Sequence, residues 1–404
     1  MIPRRQRLVL LAFVAALFSS RVASAQAEDD PRAQLPSLLR DSYFSLNVGA
    51  LDTPLSDRQL EPGFTLATVT VPKVAVRALL FGHEFNRYVG FQAGYLRPIQ
   101  YIRFKGINGR PESDGHTVRT TFGTLTLKGR LPIGSHAFLY GETGYGLGSR
   151  TGFQLEGHQV VADAHYASLL VGGGVDAELT PNWALTGGFT VIPGKDSIDQ
   201  PRTTFISGGF RYTLRTLPQE RVEEVRREAA IFPRQMFYAE ISSGVGFGVN
   251  NFVSKTVPVF WGGEARVARG LAVHYERNVF HAKRLFSFDI GLSAGTYRTQ
   301  KLDDHFSTAS FYPALRLTFL RTAPVDMYFV YSLAGPTYIS ETVLDGYDTG
   351  RHFTFQDFMG VGFFIGKARR LNAGVKINHY SNGNIFTQNA GVKIPLTISL
   401  GYTF

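Results

Sequence analysis

Two residues of this chain have the types and the spacing for nucleophilic chemistry. His379 and Ser381 stand two apart in the run Asn378, His379, Tyr380, Ser381, Asn382, Gly383. On an extended strand such residues emerge from one face, about 7 Å apart along the backbone. A serine hydroxyl becomes a nucleophile when a neighbouring base takes its proton, and imidazole is the usual base. His-x-Ser occurs on many strands by chance, so its meaning depends on what the strand faces. The other candidates read as structural. His83, His116, His136, His158 and His165 are scattered with no His-x-x-x-His or carboxylate constellation, and His274 is a lone strand histidine. Glu142 reads as an inward-facing charge partner. With no cysteine there is no thiolate metal site, disulfide scaffold or cysteine nucleophile. No glycine loop has the form that cradles phosphate, and the many Gly-x-Gly pairs read as strand glycines.

The elements that must carry this pair are strands. Of 404 residues, 43 are Gly, 33 Phe and 18 Tyr, while only 18% are charged, a poor composition for the solvated surface of a helical enzyme. The net charge is +10, but Lys and Arg are scattered and not interleaved with stacking aromatics, which argues against a nucleic-acid partner. Arg4, Arg5 and Arg7 precede an apolar stretch over 8–18, and Ala23, Ser24 and Ala25 form a small-x-small cleavage site. This predicts a signal peptide over 1–25, followed by an extension over 26–42. The apolar stretch is too short to span a bilayer as a helix, and no later run has that length.

From residue 43 onward the sequence alternates with period two. In the last strand Ile394, Leu396, Ile398, Leu400, Tyr402 and Phe404 share one face by strict alternation, and the chain ends on the aromatic. An apolar outside and a small-residue inside are what a closed barrel in lipid requires, because every backbone group must be paired. A second such ending lies at 204–214, and residues 220–231 then carry Glu–Arg pairs at helical spacing. Residues 215–236 therefore read as a periplasmic linker with a short helix. Its alternative is a membrane-surface anchor through Val222, Val225 and Phe232. Spans 43–214 and 237–404 each accommodate eight tilted strands of about 10 residues. The expected fold is all-β, two tandem eight-stranded antiparallel transmembrane barrels; one sixteen-stranded barrel is the alternative.

Parity places the pair. His379 and Ser381 share a face with Leu371, Ala373, Val375 and Ile377, the lipid face. The strand leaves a short turn at 366–370, read as periplasmic, so the pair lies about 8–10 residues up, at the outer-leaflet interface. A nucleophile and base looking into the outer leaflet imply a lipid substrate.

His379, Tyr380, Ser381 and Asn382, with Asn389 and Gly391 downstream and Phe353, Phe355, Asp357, Gly360 and Gly362 upstream, resemble the PagL lipid A 3-O-deacylase family. The resemblance covers the last 170 or so residues. It implies an eight-stranded outer-membrane barrel that hydrolyses the 3-position ester of lipid A without a cofactor, releasing a 3-hydroxy fatty acid. By it, Ser381 is the nucleophile, His379 the base, and backbone near Asn382 and Gly383 the oxyanion hole. Lipopolysaccharide is then the substrate, outer-membrane lipids the surroundings, and the barrel-insertion machinery the reader of the terminal aromatic. The family's triad glutamate falls at Lys393 by ungapped counting, and parity puts Val392 or Ile394 outward with Lys393 inward; none is an acid. Asp357 is the expected substitute, because a constant register from Ile365 opposite Leu371 sets it opposite His379. The first half resembles OmpA-like small barrels and shows no chemistry of its own. A non-enzymatic tandem barrel (structural, adhesive or a pore) is the competing function, and a homo-oligomer stays open.

Overall fold

The computed structural model describes residues 31–109, 115–227, 232–257, 260, 262–282, 286–383, 385–386 and 388–404. The expected signal peptide lies outside them. Alternating sequence produces the expected strands. The first barrel is β1 (Ser42–Asp52), β2 (Val74–Glu84), β3 (Val89–Pro98), β4 (His116–Pro132), β5 (Ala137–Thr151), β6 (Ala164–Glu178), β7 (Trp183–Ile192) and β8 (Thr203–Thr213). Each strand pairs antiparallel with its sequence neighbour, and β8 closes on β1. A helix α1 (Gln219–Arg227) follows. Its valines Val222 and Val225 are buried against Ala33, so the face considered for membrane anchoring is spent on packing within the chain.

The second barrel is β9 (Gln235–Ser242), β10 (Ala265–Ala282), β11 (Phe286–Thr299), β12 (His305–Arg321), β13 (Val325–Ile339), β14 (Phe353–Ile365), β15 (Leu371–Ser381) and β16 (Val392–Thr403). It closes on itself, β16 pairing with β9. The terminal Phe404 exchanges both backbone hydrogen bonds with Gln235 and seals that seam. Two rings of eight form, and the single sixteen-stranded ring does not.

Both lumens are plugged by charged networks. In the first, Arg77 grips Glu142 through two hydrogen bonds of 2.5 and 2.8 Å, and Gln92 and Thr126 donate to the same carboxylate. In the second, Glu240 pairs with Lys376 at 2.6 Å and with His274 at 3.3 Å, while Arg316 bridges Glu276 and Asp289. Glu142 and His274 are thus structural, as their isolation in sequence suggested. Taking charges out of water is expensive, so each buried one has a partner.

The helix α2 (Phe247–Thr256) was not legible in the alternation. Strand β9 stops at Ser242, and the chain leaves the barrel wall through Gly244 and Gly246, both at positive φ. A Cβ on Gly246 would lie 2.6 Å from the Leu396 side chain, so only glycine makes this exit. Beyond the end of β9, β10 and β16 meet directly in a short parallel contact, Ala265 with Val392 and Arg266 with Lys393. The segment carrying α2 is therefore laid on the outside of the barrel, against β16.

Candidate active site

Strands β14 and β15 hold the site between them. From Ile365 opposite Leu371 their register runs unbroken to Asp357 opposite His379 and Phe355 opposite Ser381. Directly opposed residues share a face, so all four side chains emerge together at the outer end of the barrel. His379 Nδ1 lies 3.4 Å from Asp357 Oδ2. The other carboxylate oxygen, Oδ1, accepts the backbone N–H of Ala334 at 2.7 Å. That N–H is available because β13 bulges here: Leu333 and Ala334 occupy the space opposite the single residue Asp357, and Ala334 sits at φ 52°. A non-glycine residue in the left-handed region costs about 1–3 kcal/mol. The strain aims one main-chain donor at the carboxylate.

With Nδ1 facing Asp357, Nε2 is the nitrogen left for a proton transfer. It is buried and has no hydrogen-bond partner among the described residues. Gly391 lies alongside, at φ 68°, and a Cβ there would come within 3.1 Å of Nε2. Glycine at 391 thus keeps the reactive edge of the imidazole clear. Ser381 is half-buried on the same face, and its hydroxyl makes no hydrogen bond to His379 in this state. Catalytic hydrogen bonds commonly tighten only once substrate is bound.

The structure corrects the reading of the last strand. Between Lys376 opposite Thr397 and Asn378 opposite Ile394, β16 contains one residue more than β15. The bulge includes Pro395, which has no N–H to give the ladder. It reverses the alternation above it. Ile394 and Val392 turn inward, to pack with Tyr380 in the lumen. Lys393 is directly opposite His379 and so shares its face, contrary to the inward orientation expected from strict alternation. Its Nζ donates to Asn251 Oδ1 of α2 at 2.9 Å. A lysine therefore stands where ungapped counting placed the family acid, and the carboxylate reaches the imidazole from the opposite neighbouring strand.

The loop after Ser381 is held by its asparagines. Asn389 Oδ1 accepts the backbone N–H of Asn382 at 2.9 Å, and Asn382 Nδ2 donates to the Thr349 carbonyl at 3.1 Å. The Asn382 N–H, named above for an oxyanion hole, is thus already engaged. Gly383 N–H has no partner among the described residues and is the donor that remains.

The face is also less open than the sequence implied. Phe260, with Val253 and Val257 from the α2 segment, covers Met359 and Ile377 on the outward surface of β14 and β15. The Phe260 ring lies 6.2 Å from that of His379. As a result His379 is 0% exposed and Asp357 3%, and only Ser381 borders open space. Neither alternation nor composition signals this cover, because Val253 lies on a helix and Val257 and Phe260 follow it without a strand period. Ala334 and Phe260 were the contributors that sequence reasoning missed.

The model of the PagL family, lipid A 3-O-deacylase, matches residues 267–403, and that of the OmpA-like transmembrane domain matches 69–191. No curated protein matches the chain. Among solved structures, the outer membrane enzyme PagL is 15% identical, covering 42% of this chain and 98% of its own, with a TM-score of 0.29. Neisserial surface protein A is 18% identical over 43% and 97%, with a TM-score of 0.28. Ail, the attachment invasion locus protein of Yersinia pestis, is 17% identical over 43% and 99%, also with a TM-score of 0.28. The chain is an integral outer-membrane protein whose first barrel carries the OmpA-like transmembrane domain and whose second carries the PagL domain, with a lipid A deacylase-like fold.

Proposed function

We propose that the second barrel hydrolyses the ester that links a 3-hydroxyacyl chain to position 3 of lipid A. Ser381 Oγ attacks the carbonyl carbon while His379 Nε2 takes its proton. The tetrahedral intermediate collapses by breaking the bond to the sugar oxygen, which leaves as the hydroxyl after receiving that proton. Water then attacks the acyl-serine, giving a proton to His379; the bond between Ser381 Oγ and the acyl carbon breaks as His379 returns that proton to Oγ, and the free 3-hydroxy fatty acid departs. Asp357 keeps the imidazole in the tautomer with Nδ1–H and stabilises the cation that forms, and the Gly383 N–H donates a hydrogen bond to the oxyanion. The observation that carries this reading is the carboxylate–imidazole contact on the outward face, on the strand that also presents Ser381. The family match over 267–403 supports the substrate class.

A non-catalytic tandem barrel is favoured by one observation, the lysine at the family's acid position. Lipid A extracted from cells producing the protein decides between the two by mass spectrometry. Loss of one 3-hydroxyacyl chain, absent with Ser381→Ala, is the expected result. Unchanged lipid A in cells with the folded protein in the outer membrane overturns the proposal.

A further inference from the structure

The first barrel closes one side of the space in front of Ser381. The two barrels touch at both ends. Near the periplasmic end Leu35, Leu214 and Phe280 form one apolar cluster. Near the outer end Arg119 pairs with Glu264 at 2.8 Å, and Arg97 donates to the carbonyls of Ser254 and Lys255. A cleft of about 1480 Å³ lies between the barrels, bordered by β3, β4 and β5 on one side and by Phe355, Ser381 and Lys393 on the other, with His379 and Asp357 buried just behind. Gly123 of β4 comes so close to the loop after Ser381 that a Cβ there would lie 3.6 Å from the Gly383 carbonyl. Its cross-strand neighbours on that face are Tyr95 and Leu147, and Leu125 follows one step below.

We infer that this cleft is the acyl-chain site, and that the outward face of the first barrel forms its second wall. The occupant is the ester-bearing acyl chain of a phosphorylated glycolipid. Two features select it. A gap between two membrane-embedded barrels, walled by Tyr95, Leu125 and Leu147, has hydrocarbon as its natural filling, since apolar surface at that depth favours lipid chains over water. Its lining also carries the cations Arg97, Lys255 and Lys393, which complement phosphate on the headgroup, beside the acids Asp163, Asp348 and the Arg119-paired Glu264. The first barrel thereby sets which chain reaches Ser381. The inference rests on the deacylase reading for the identity of the lipid.

The test uses binding, so that it stands apart from turnover. Full-length protein with Ser381→Ala, in phospholipid nanodiscs, is titrated with lipid A. Gly123→Trp, added to that protein, fills the cleft from the first barrel, and Leu125→Trp does the same from a position that is 42% exposed and free to carry a larger ring. Gly208→Trp is the control, a glycine on β8 at the far side of the ring whose Cβ would meet only an ordinary contact at 3.7 Å. Both cleft variants are expected to weaken binding at least about tenfold while the control stays within about twofold. Heat-modifiable migration reports that each variant is folded. Unweakened binding by a folded cleft variant, or no binding by the Ser381→Ala parent, overturns the inference. Binding that the cleft variants abolish, in a protein whose Ser381 form leaves lipid A uncut, sustains the cleft and removes the deacylase.

Discussion

The two barrels share a strand count and a way of filling their lumens, and they differ in where they spend polar groups. In the first, the buried charges such as Arg77, Glu142, Lys128 and Asp176 point inward and are paired. The second does the same with Glu240, Lys376, Glu276 and Arg316, but also turns Asp357, His379 and Lys393 outward at its upper end. Two bulges and a covering loop are needed to keep them there. Lumen charges hold a barrel closed and carry no information about chemistry. Polar groups on the lipid face are costly where they stand, so their presence marks a task.

Substitutions can break that contrast from either side. The largest expected effect is Ser381→Ala or His379→Ala, each abolishing release of the hydroxy fatty acid while the barrel stays heat-modifiable. Retained activity in Ser381→Ala would refute the catalytic assignment altogether. Asp357→Asn removes the charge beside the imidazole and should lower turnover by as much as about 10⁴ without unfolding. Near-parental activity in that variant means a His–Ser dyad suffices. Because Lys393 shares the face of His379, Lys393→Glu in the Asp357→Asn background should recover part of the rate. No recovery would mean that residue 393 cannot serve as the acid in this barrel.

Smaller effects test the lumen side. Arg77→Ala strands Glu142 and should lower the unfolding free energy of the first barrel by about 3–5 kcal/mol, read from urea titration in micelles. If the loss were shared equally by the second barrel, the two would unfold as one unit. The smallest expected effect is a change with pH at the extracellular tip. Burial would push the Asp345 carboxyl up, but a Thr299 hydrogen bond and the backbone N–H groups of Leu302, Lys301 and Arg266 outweigh it and hold it below its ordinary value. A depressed carboxylate pKa contributes stability above the unfolded value of 3.8, and that contribution is lost as pH falls through the lower folded value. Amide exchange at Lys301 and Leu302, corrected for its intrinsic rate, should therefore speed up only in strong acid. Protection unchanged across that range would show that the carboxylate does not hold the loop.

Much of this arrangement is legible in the sequence. Period-two alternation yields strands wherever one face meets lipid, and a tight turn at 366–370 fixes register well enough to set Asp357 opposite His379, the ninth of the eleven pairs that join β14 and β15. The same reasoning failed on β16, since a bulge changes parity and Pro395 alone does not announce one. It failed again on α2, whose short run of Phe247, Val249 and Phe252 could equally be strand. Local pattern determines what repeats, whereas bulges and outer loops depend on contacts between segments far apart in the chain.

The Asp357 anchor is made by the main chain of Ala334, and this has a practical consequence for anyone mapping the protein by substitution. An N–H belongs to every residue except proline, so replacing the side chain at 334 leaves the donor in place. An alanine scan passes over the position without a signal, since alanine is already there. Shortening β13 by one residue is a different operation: removing Ala334 takes away the extra unit, lets the ladder run straight past Asp357, and withdraws the donor with it. The information that orients the carboxylate is thus stored as a count of residues between two paired segments, and a change in length reads it where a change in letter does not.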